Sequence, residues 1–208
     1  MKQNYQLMLD KTLSELGKRG ERPTLLLHAC CAPCSSYVLE YLSKYFKITL
    51  FFYNPNISPE AEYNTRLCEL ERFVKDAGLA VEVDILPSKY EPERFFEIAK
   101  GFEDAPEGGE RCERCFSLRL EESAIAAKNG GFDYFTTTLS ISPHKNAELL
   151  AKIGEDMSKK YGVKYLYSDF KKKGGYLRSC KLSEQYGLYR QAFCGCIYSK
   201  LESERIKR

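Results

Sequence analysis

The stretch Leu25-Leu26-Leu27-His28-Ala29-Cys30-Cys31-Ala32-Pro33-Cys34-Ser35-Ser36 runs from an apolar segment into a turn that holds three cysteines. The apolar run predicts a short buried strand over residues 24–27, and the two serines predict the start of a helix. Open α/β sheets bind their ligands at the carboxyl ends of the strands. Because folding alone does not require three thiols in one turn, the stretch predicts a metal or redox centre that faces a cleft.

Strands and helices alternate along the chain outward from this stretch. Further strands are predicted over residues 48–53, 80–86, 132–137 and 164–167. Helices are predicted over residues 35–43, 59–78, 92–101, 113–128 and 146–161. This alternation predicts an α/β fold with a parallel sheet and helices on both faces.

The length and composition indicate one globular domain. The chain has 208 residues, of which 43% are apolar and 29% are charged. We expect a single domain over residues 1–208, in which residues 1–22 form an N-terminal helical extension. Residues 168–208 are basic and rich in tyrosine, and we expect a helical or irregular C-terminal cap there.

The nine cysteines do not fit the disulfide framework of a secreted protein. Their number is odd and most lie in tight groups, and the opening Met1-Lys2-Gln3-Asn4 is not followed by the apolar core of a signal peptide. We therefore expect a reducing, cytoplasmic location, where clustered thiols bind metal or carry electrons. No apolar stretch approaches the roughly 20 residues that cross a bilayer, so no membrane partner is expected.

The charge is unevenly distributed although the formal net charge is only +3. Residues 159–208 hold 13 Lys or Arg against 4 Asp or Glu, with tyrosines interleaved among them. A basic, aromatic surface of this kind is typical of RNA binding, and a solvated charge run is the alternative. The candidate RNA-binding residues are Lys171, Lys172, Lys173, Arg178 and Arg190.

A second cysteine group, Cys112 and Cys115, has the C-x-x-C spacing that lets two thiolates bind one metal. Alone, the spacing does not distinguish zinc, an iron–sulfur cluster and dithiol redox chemistry. Together with Cys30 and Cys31 it supplies the four thiolates that a [4Fe–4S] cluster takes. A structural zinc site is the alternative, although it would leave further thiols unused.

A third group, Cys194-Gly195-Cys196, separates its two thiols by a single glycine. A disulfide across this spacing is strained, and strained disulfides are the labile, catalytic kind. The pair is therefore either redox-active or a ligand of a second metal. Cys34 is a further candidate ligand for a second metal, whereas Cys68 and Cys180 are interpreted as ordinary residues.

Taken together, the motifs resemble those of the QueH-type epoxyqueuosine reductases, and the resemblance covers about residues 23–200. The motifs that carry it are His28 to Cys34, Tyr53 to Ile57, Glu62-Tyr63 with Arg66, Arg111-Cys112 with Cys115-Phe116, Thr138-Leu139, Ser142 to Lys145, Asp169 to Lys172, Tyr189 to Gln191, and Cys194 to Cys196.

The resemblance implies a fold related to the adenine-nucleotide hydrolase and PP-loop (HUP) superfamily. It implies reduction of epoxyqueuosine to queuosine at the wobble position of tRNA. Because this reduction takes two electrons and a cluster passes one at a time, we expect a low-potential donor protein that delivers electrons twice, or a second redox centre that stores one. The residues Cys30, Cys31, Cys112 and Cys115 match the expected [4Fe–4S] ligands, and Cys194 and Cys196 match a redox-active pair.

The resemblance also implies an additional mononuclear iron, for which Cys34, Cys194, Cys196 and Asp84 are candidate ligands. An iron with an open position would act as a Lewis acid on the epoxide oxygen. Removal of that oxygen also needs protons, for which Asp169 and His144 are the candidate donors, together with Asp84 and nearby tyrosines.

Two other functions fit parts of the sequence. An ATP-dependent tRNA-thiolating enzyme would share the fold, but it needs a glycine-rich phosphate loop, and no glycine lies between Gly20 and Gly78. A non-enzymatic RNA-binding module with structural zinc would explain the thiols and the basic surface. Metal analysis distinguishes this module from an iron–sulfur enzyme.

Overall fold

The first strand is buried on both of its faces. In the computed structural model, which describes residues 3–79, 81–86 and 88–206, strand β1 spans Thr24–His28. Successive side chains of a strand point to opposite faces, so Leu25 and Leu27 join one core cluster and Leu26 joins the other. A strand covered on both faces needs apolar residues on both of them, which explains the continuous leucine run.

Within the described residues, five strands form one sheet in the order β3-β2-β1-β4-β5. The other four are β2 at Lys47–Phe51, β3 at Val83–Leu86, β4 at Tyr134–Thr137 and β5 at Lys164–Tyr165. Every pairing is parallel, which confirms the predicted α/β class, and the order is compatible with the expected HUP relation. The order reverses between β1 and β4, and such a reversal is where open sheets bind ligands.

Helices cover both faces of the sheet. Their bounds are α1 Tyr5–Arg19, α2 Ala32–Leu42, α3 Glu60–Asp76, α4 Pro92–Ala99, α5 Glu110–Asn129, α6 Ala147–Tyr161, α7 Gly175–Gln185 and α8 Ile197–Ile206. The first three helices bury apolar residues in the cluster that contains Leu25, and α5 and α6 bury theirs with Leu26. None of the helices in the described ranges is long and apolar enough to cross a membrane.

Most differences from the predicted elements lie at their ends. Helix α2 begins at Ala32 rather than at Ser35, because Pro33 is tolerated in a first helical turn. Helix α5 begins at Glu110, so Cys112 is helical and does not lie in the preceding loop. All four further strands are shorter than predicted, and position 80 of the third lies outside the described residues.

The predicted terminal extensions contain helices. Helix α1 is capped by Asn4, whose side chain accepts a hydrogen bond from the backbone N–H of Leu7. The C-terminal part contains α7, which packs against α2, and α8. Positions 1, 2, 207 and 208 of these extensions lie outside the described residues.

Candidate metal and redox site

Three thiols meet where β1 ends. Cys30 and Cys31 follow β1 after Ala29, and Cys34 lies in the first turn of α2. The three Sγ atoms lie within 4.8 Å of one another, and the Sγ atoms of Cys30 and Cys31 are 3.8 Å apart. Thiolates in such a group are suited to soft metal ions, so these three residues can hold a metal.

The three thiols differ in pKa. Hydrogen bonds from Cys31 and Cys34 hold the pKa of the Cys30 thiol well below its usual range, although burial acts in the opposite direction. The bond to Cys30 raises the pKa of Cys31 to about 12 and also raises the pKa of Cys34. Cys30 is therefore the thiol of the group that ionises most readily, and the thiolate is the form that binds metals and attacks electrophiles.

The strand ends beside the thiols are joined by buried polar contacts. Thr138 Oγ1 accepts a hydrogen bond of 3.3 Å from the backbone N–H of Cys30 and lies 3.5 Å from its Sγ. His28 lies 2.8 Å from Thr137 Oγ1 through Nδ1 and 3.0 Å from the carbonyl oxygen of Tyr53 through Nε2. Burial lowers the pKa of His28 to about 3, so its imidazole is neutral at physiological pH.

Arg119 places a buried positive charge beside the thiols. Its side chain is 1% exposed, and Nη2 donates a hydrogen bond of 2.5 Å to Asn54 Oδ1. Burial opposes the charge, but the thiols of Cys115 and Cys30 raise the pKa of Arg119 overall. Arg119 was not predicted as a site residue, although its position one turn after Cys115 is a signal that sequence analysis can use.

The second and third cysteine groups lie together. Cys115 on α5 and Cys196 before α8 are buried in one small cluster with Phe95. Burial and the neighbouring thiols of Cys194 and Cys196 together raise the pKa of Cys115 to about 12, although the positive charge of Arg119 acts in the opposite direction. All nine cysteines lie within the described residues and each is a free thiol, so a Cys194–Cys196 disulfide stays a prediction.

The loop that holds Cys194 is fixed by the region around α3. Arg66 Nη1 donates a hydrogen bond of 3.0 Å to the carbonyl oxygen of Cys194, and its Nε donates one of 2.7 Å to Glu62. The backbone N–H of Ser58 donates a hydrogen bond of 3.0 Å to the carbonyl oxygen of Gly195. Arg66 is 2% exposed, and its site role was not predicted.

A cavity of about 530 Å³ joins the first thiol group to this loop. Its lining includes Cys30, Cys34 and Cys194, and this volume is typical of small-molecule sites. Lys145 also lines it, and although burial opposes its charge, the nearby thiols raise the pKa of Lys145 overall. The predicted proton donor His144 lies at the same cavity and is exposed.

Two predicted acidic residues lie elsewhere. Asp169 is 9% exposed and forms an ion pair of 2.7 Å with Lys171, whereas Asp84 lies within β3 with an exposed side chain. Neither is among the residues that line the cavity. The structure therefore does not bring either carboxylate to the first thiol group.

The candidate RNA-binding residues differ in how their charges are paired. Lys173 and Arg178 form ion pairs of 2.5 Å with Asp10 and Glu40, and Lys171 pairs with Asp169 as described. Lys172 is exposed. Arg190 lines the cavity and donates a hydrogen bond of 3.1 Å to Ser183.

Comparison with known proteins places this arrangement in a family. The family model described as epoxyqueuosine reductase QueH matches residues 25–202. A protein of that name from Staphylococcus epidermidis is 45% identical over 96% of this chain and 85% of its own length. The protein of that name from Streptococcus pyogenes is 43% identical over 96% and 80% of the two chains.

A more distant relative shows the same match. The epoxyqueuosine reductase QueH of Thermotoga maritima is 38% identical over 86% of this chain and 91% of its own length. The matched residues 25–202 include β1 apart from Thr24, the three cysteine groups and every side chain that lines the cavity except Ser203. The chain belongs to the epoxyqueuosine reductase QueH family.

Proposed function

We propose that this chain reduces epoxyqueuosine to queuosine at the anticodon wobble position of tRNA, with a [4Fe–4S] cluster as its cofactor. The observation that carries the proposal is the group of three thiols at the reversal of the strand order, beside a cavity that also contains Cys194. This group occurs in a family whose relatives are named epoxyqueuosine reductases.

The proposed cluster ligands are Cys30 and Cys31 after β1 and Cys112 and Cys115 on α5. The residues around them fit an anionic group, because Arg119 interacts with both Cys30 and Cys115. Its Nη1 atom is buried and has no hydrogen-bond partner among the described residues. Thiolate ligands with a neighbouring cation suit an iron–sulfur cluster, which when bound would supply electrons one at a time.

The overall reaction converts an epoxide into an alkene and releases water, which takes two electrons and two protons. The free thiols of Cys194 and Cys196 are proposed to supply the two electrons and two protons by forming a disulfide, which the low-potential donor would reduce back to thiols. The alternative role for these two thiols is to ligate a mononuclear iron together with Cys34. His144 is the favoured proton donor because it lines the cavity, whereas Asp169 is paired with Lys171 away from it.

The tRNA is proposed to dock on the basic C-terminal part, with its wobble nucleotide unstacked into the cavity. Arg190 at the cavity and the exposed Lys172 are favoured phosphate contacts. Lys173 and Arg178 are less favoured as phosphate contacts, because their charges are already paired with those of Asp10 and Glu40. A low-potential protein in the cytoplasm would supply the electrons.

Anaerobic purification tests the proposal when it is followed by iron and sulfide analysis and a single turnover on epoxyqueuosine-containing tRNA with a strong reductant. About four sulfides with four or more irons, and conversion to queuosine, are expected. Zinc without sulfide, and no conversion, would instead favour the zinc-containing RNA-binding module.

The ligand assignment has its own matched controls. Individual alanine variants of Cys30, Cys31, Cys112 and Cys115 are expected to lose most of the cluster absorbance when purified without oxygen. The variants Cys68→Ala and Cys180→Ala remove thiols outside the three groups and are expected to keep it. Full absorbance in any of the first four variants would contradict the assignment of that residue.

A further inference from the structure

Two buried side chains at the cavity each leave a polar atom without a partner. Asn56 and Arg66 line the cavity and are 1% and 2% exposed. Asn56 Oδ1 and Arg66 Nη2 have no hydrogen-bond partner among the described residues. A buried polar atom without a hydrogen-bond partner lowers the stability of the fold. Its presence at a cavity therefore indicates a partner that the chain itself does not supply.

The neighbouring Asn54 has a structural role, and its contacts differ from those of Asn56. Asn54 is 0% exposed, donates a hydrogen bond of 2.9 Å to the carbonyl oxygen of Ala29 and accepts one from Arg119. Two residues later, Asn56 is buried to the same degree but its oxygen bonds nothing within the described chain. Hydrogen bonds within the protein account for the burial of Asn54, whereas the side-chain oxygen of Asn56 can accept a hydrogen bond from a ligand.

An aromatic ring lies beside these atoms. Phe193 lines the same cavity and is half-buried, and the guanidinium of Arg66 lies 5.5 Å from its ring centroid. Phe193 directly precedes Cys194, so a ligand on this ring is next to the third cysteine group. Aromatic rings of this kind stack on unpaired nucleobases.

We propose that Asn56, Arg66 and Phe193 bind the nucleobase of the wobble nucleotide. The base stacks on Phe193, its ring N–H donates to Asn56 Oδ1, and its exocyclic oxygen accepts from Arg66 Nη2. The Watson–Crick edge of a guanine-type base provides this donor and acceptor side by side. The inference rests on the proposed function for the identity of the substrate, and it places the base beside Cys194, which follows Phe193 in the chain and lines the same cavity.

Binding of short RNAs to the cofactor-loaded protein tests this recognition without requiring turnover. The probes are two anticodon stem-loops, one with guanine and one with 1-methylguanine at the wobble position, since methylation removes the ring N–H donor. The unaltered protein is expected to bind the guanine RNA at least tenfold more tightly. Asn56→Leu is expected to bind both equally, and Asn64→Leu on the exposed face of α3 is expected to keep the preference.

Stability separates recognition from a structural role. Because Asn56→Leu removes an unpaired buried polar atom, its urea midpoint is expected to equal or exceed that of the unaltered protein. Asn54→Leu breaks two hydrogen bonds and is expected to lower the midpoint. A lowered midpoint for Asn56→Leu, or a retained preference for guanine, would overturn the inference.

A variant of Phe193 tests the stacking contact independently of Asn56. Phe193→Leu is expected to weaken binding of the guanine RNA at least tenfold relative to an abasic stem-loop, and an unchanged ratio would contradict the stacking role. Guanine preference without conversion of epoxyqueuosine would overturn the proposed function alone. Conversion without guanine preference in the unaltered protein would overturn this inference alone.

Discussion

The guanidinium of Arg66 holds the backbone of Cys194 through a hydrogen bond of 3.0 Å from Nη1 to the carbonyl oxygen. The two residues are far apart in sequence, and the contact joins α3 to the Cys194-Gly195-Cys196 loop. The same guanidinium pairs with Glu62, so one buried cation fixes both a helix carboxylate and a thiol-bearing loop.

Replacement of Arg66 by Met is expected to lower the free energy of unfolding by roughly 3 kcal/mol, because it leaves the largely buried Glu62 unpaired. The released loop is also expected to make Cys194 alkylate faster. Urea unfolding and peptide mapping after iodoacetamide treatment measure the two effects. Lys159→Met removes an exposed pair with Glu155 and should leave stability nearly unchanged. Equal effects from the two variants would contradict the role given to Arg66.

The glycine between the third pair of thiols is required by its backbone. Gly195 has φ of 121°, and a Cβ atom there would lie 2.9 Å from Arg66 Nη1. Gly195→Ala is therefore expected to destabilise the protein by about 1–3 kcal/mol. Gly17→Ala, in helix α1 where a Cβ meets nothing within 4 Å, is expected to stabilise it by about 0.5–1 kcal/mol. Thermal unfolding of both variants checks the opposite signs.

The buried His28 predicts a dependence of stability on pH. Its pKa is about 3 in the folded protein against 6.5 ordinarily, so the unfolded chain binds the extra proton between these values. The contribution is complete above pH 6.5 and is lost as the pH falls. The free energy of unfolding is expected to fall by about 2 kcal/mol from pH 7 to pH 5. In urea titrations, His28→Gln should flatten this dependence, and an unchanged slope would contradict the assignment.

The hydrogen bonds around Cys30 predict a difference in reactivity among the three thiols. In protein freed of metal, Cys30 is expected to alkylate fastest of the group at pH 7, because Cys31 and Cys34 lower its pKa. Cys34→Ala removes one donor and is expected to slow the reaction of Cys30 at pH 6 more than at pH 9. Peptide mapping after brief treatment measures the rates, and faster reaction of Cys31, whose pKa is about 12, would contradict the prediction.

The sheet could be predicted from local sequence pattern, and most element ends could not. The leucine run predicted β1 because a strand covered on both faces carries apolar residues at successive positions. The start of α5 was placed too late, since Gly109, the residue before it, makes no side-chain capping bond. Without a capping side chain, the sequence carries little local signal for the first turn of a helix.

The cysteines of the site could be identified from their spacing, but their polar neighbours could not. Arg119 reads as a surface residue of a charged helix, and only the fold brings it to Asn54 and the thiols. Arg66 meets Cys194 through tertiary packing that no local pattern contains. The sequence also indicated Asp84 as a site residue, because the local sequence around a carboxylate near a strand end does not show whether that strand reaches the cavity.

The location of the cavity residues along the chain has a consequence for biogenesis. Cys30 leaves the ribosome long before Cys194, yet both line one cavity that is closed by contacts from α3 to the loop before α8. The cavity is therefore complete only after the last part of the chain has been synthesised and its loop has docked onto Arg66. A ribosome-bound chain that ends before Cys194 holds the first thiol group but not the full lining of the site.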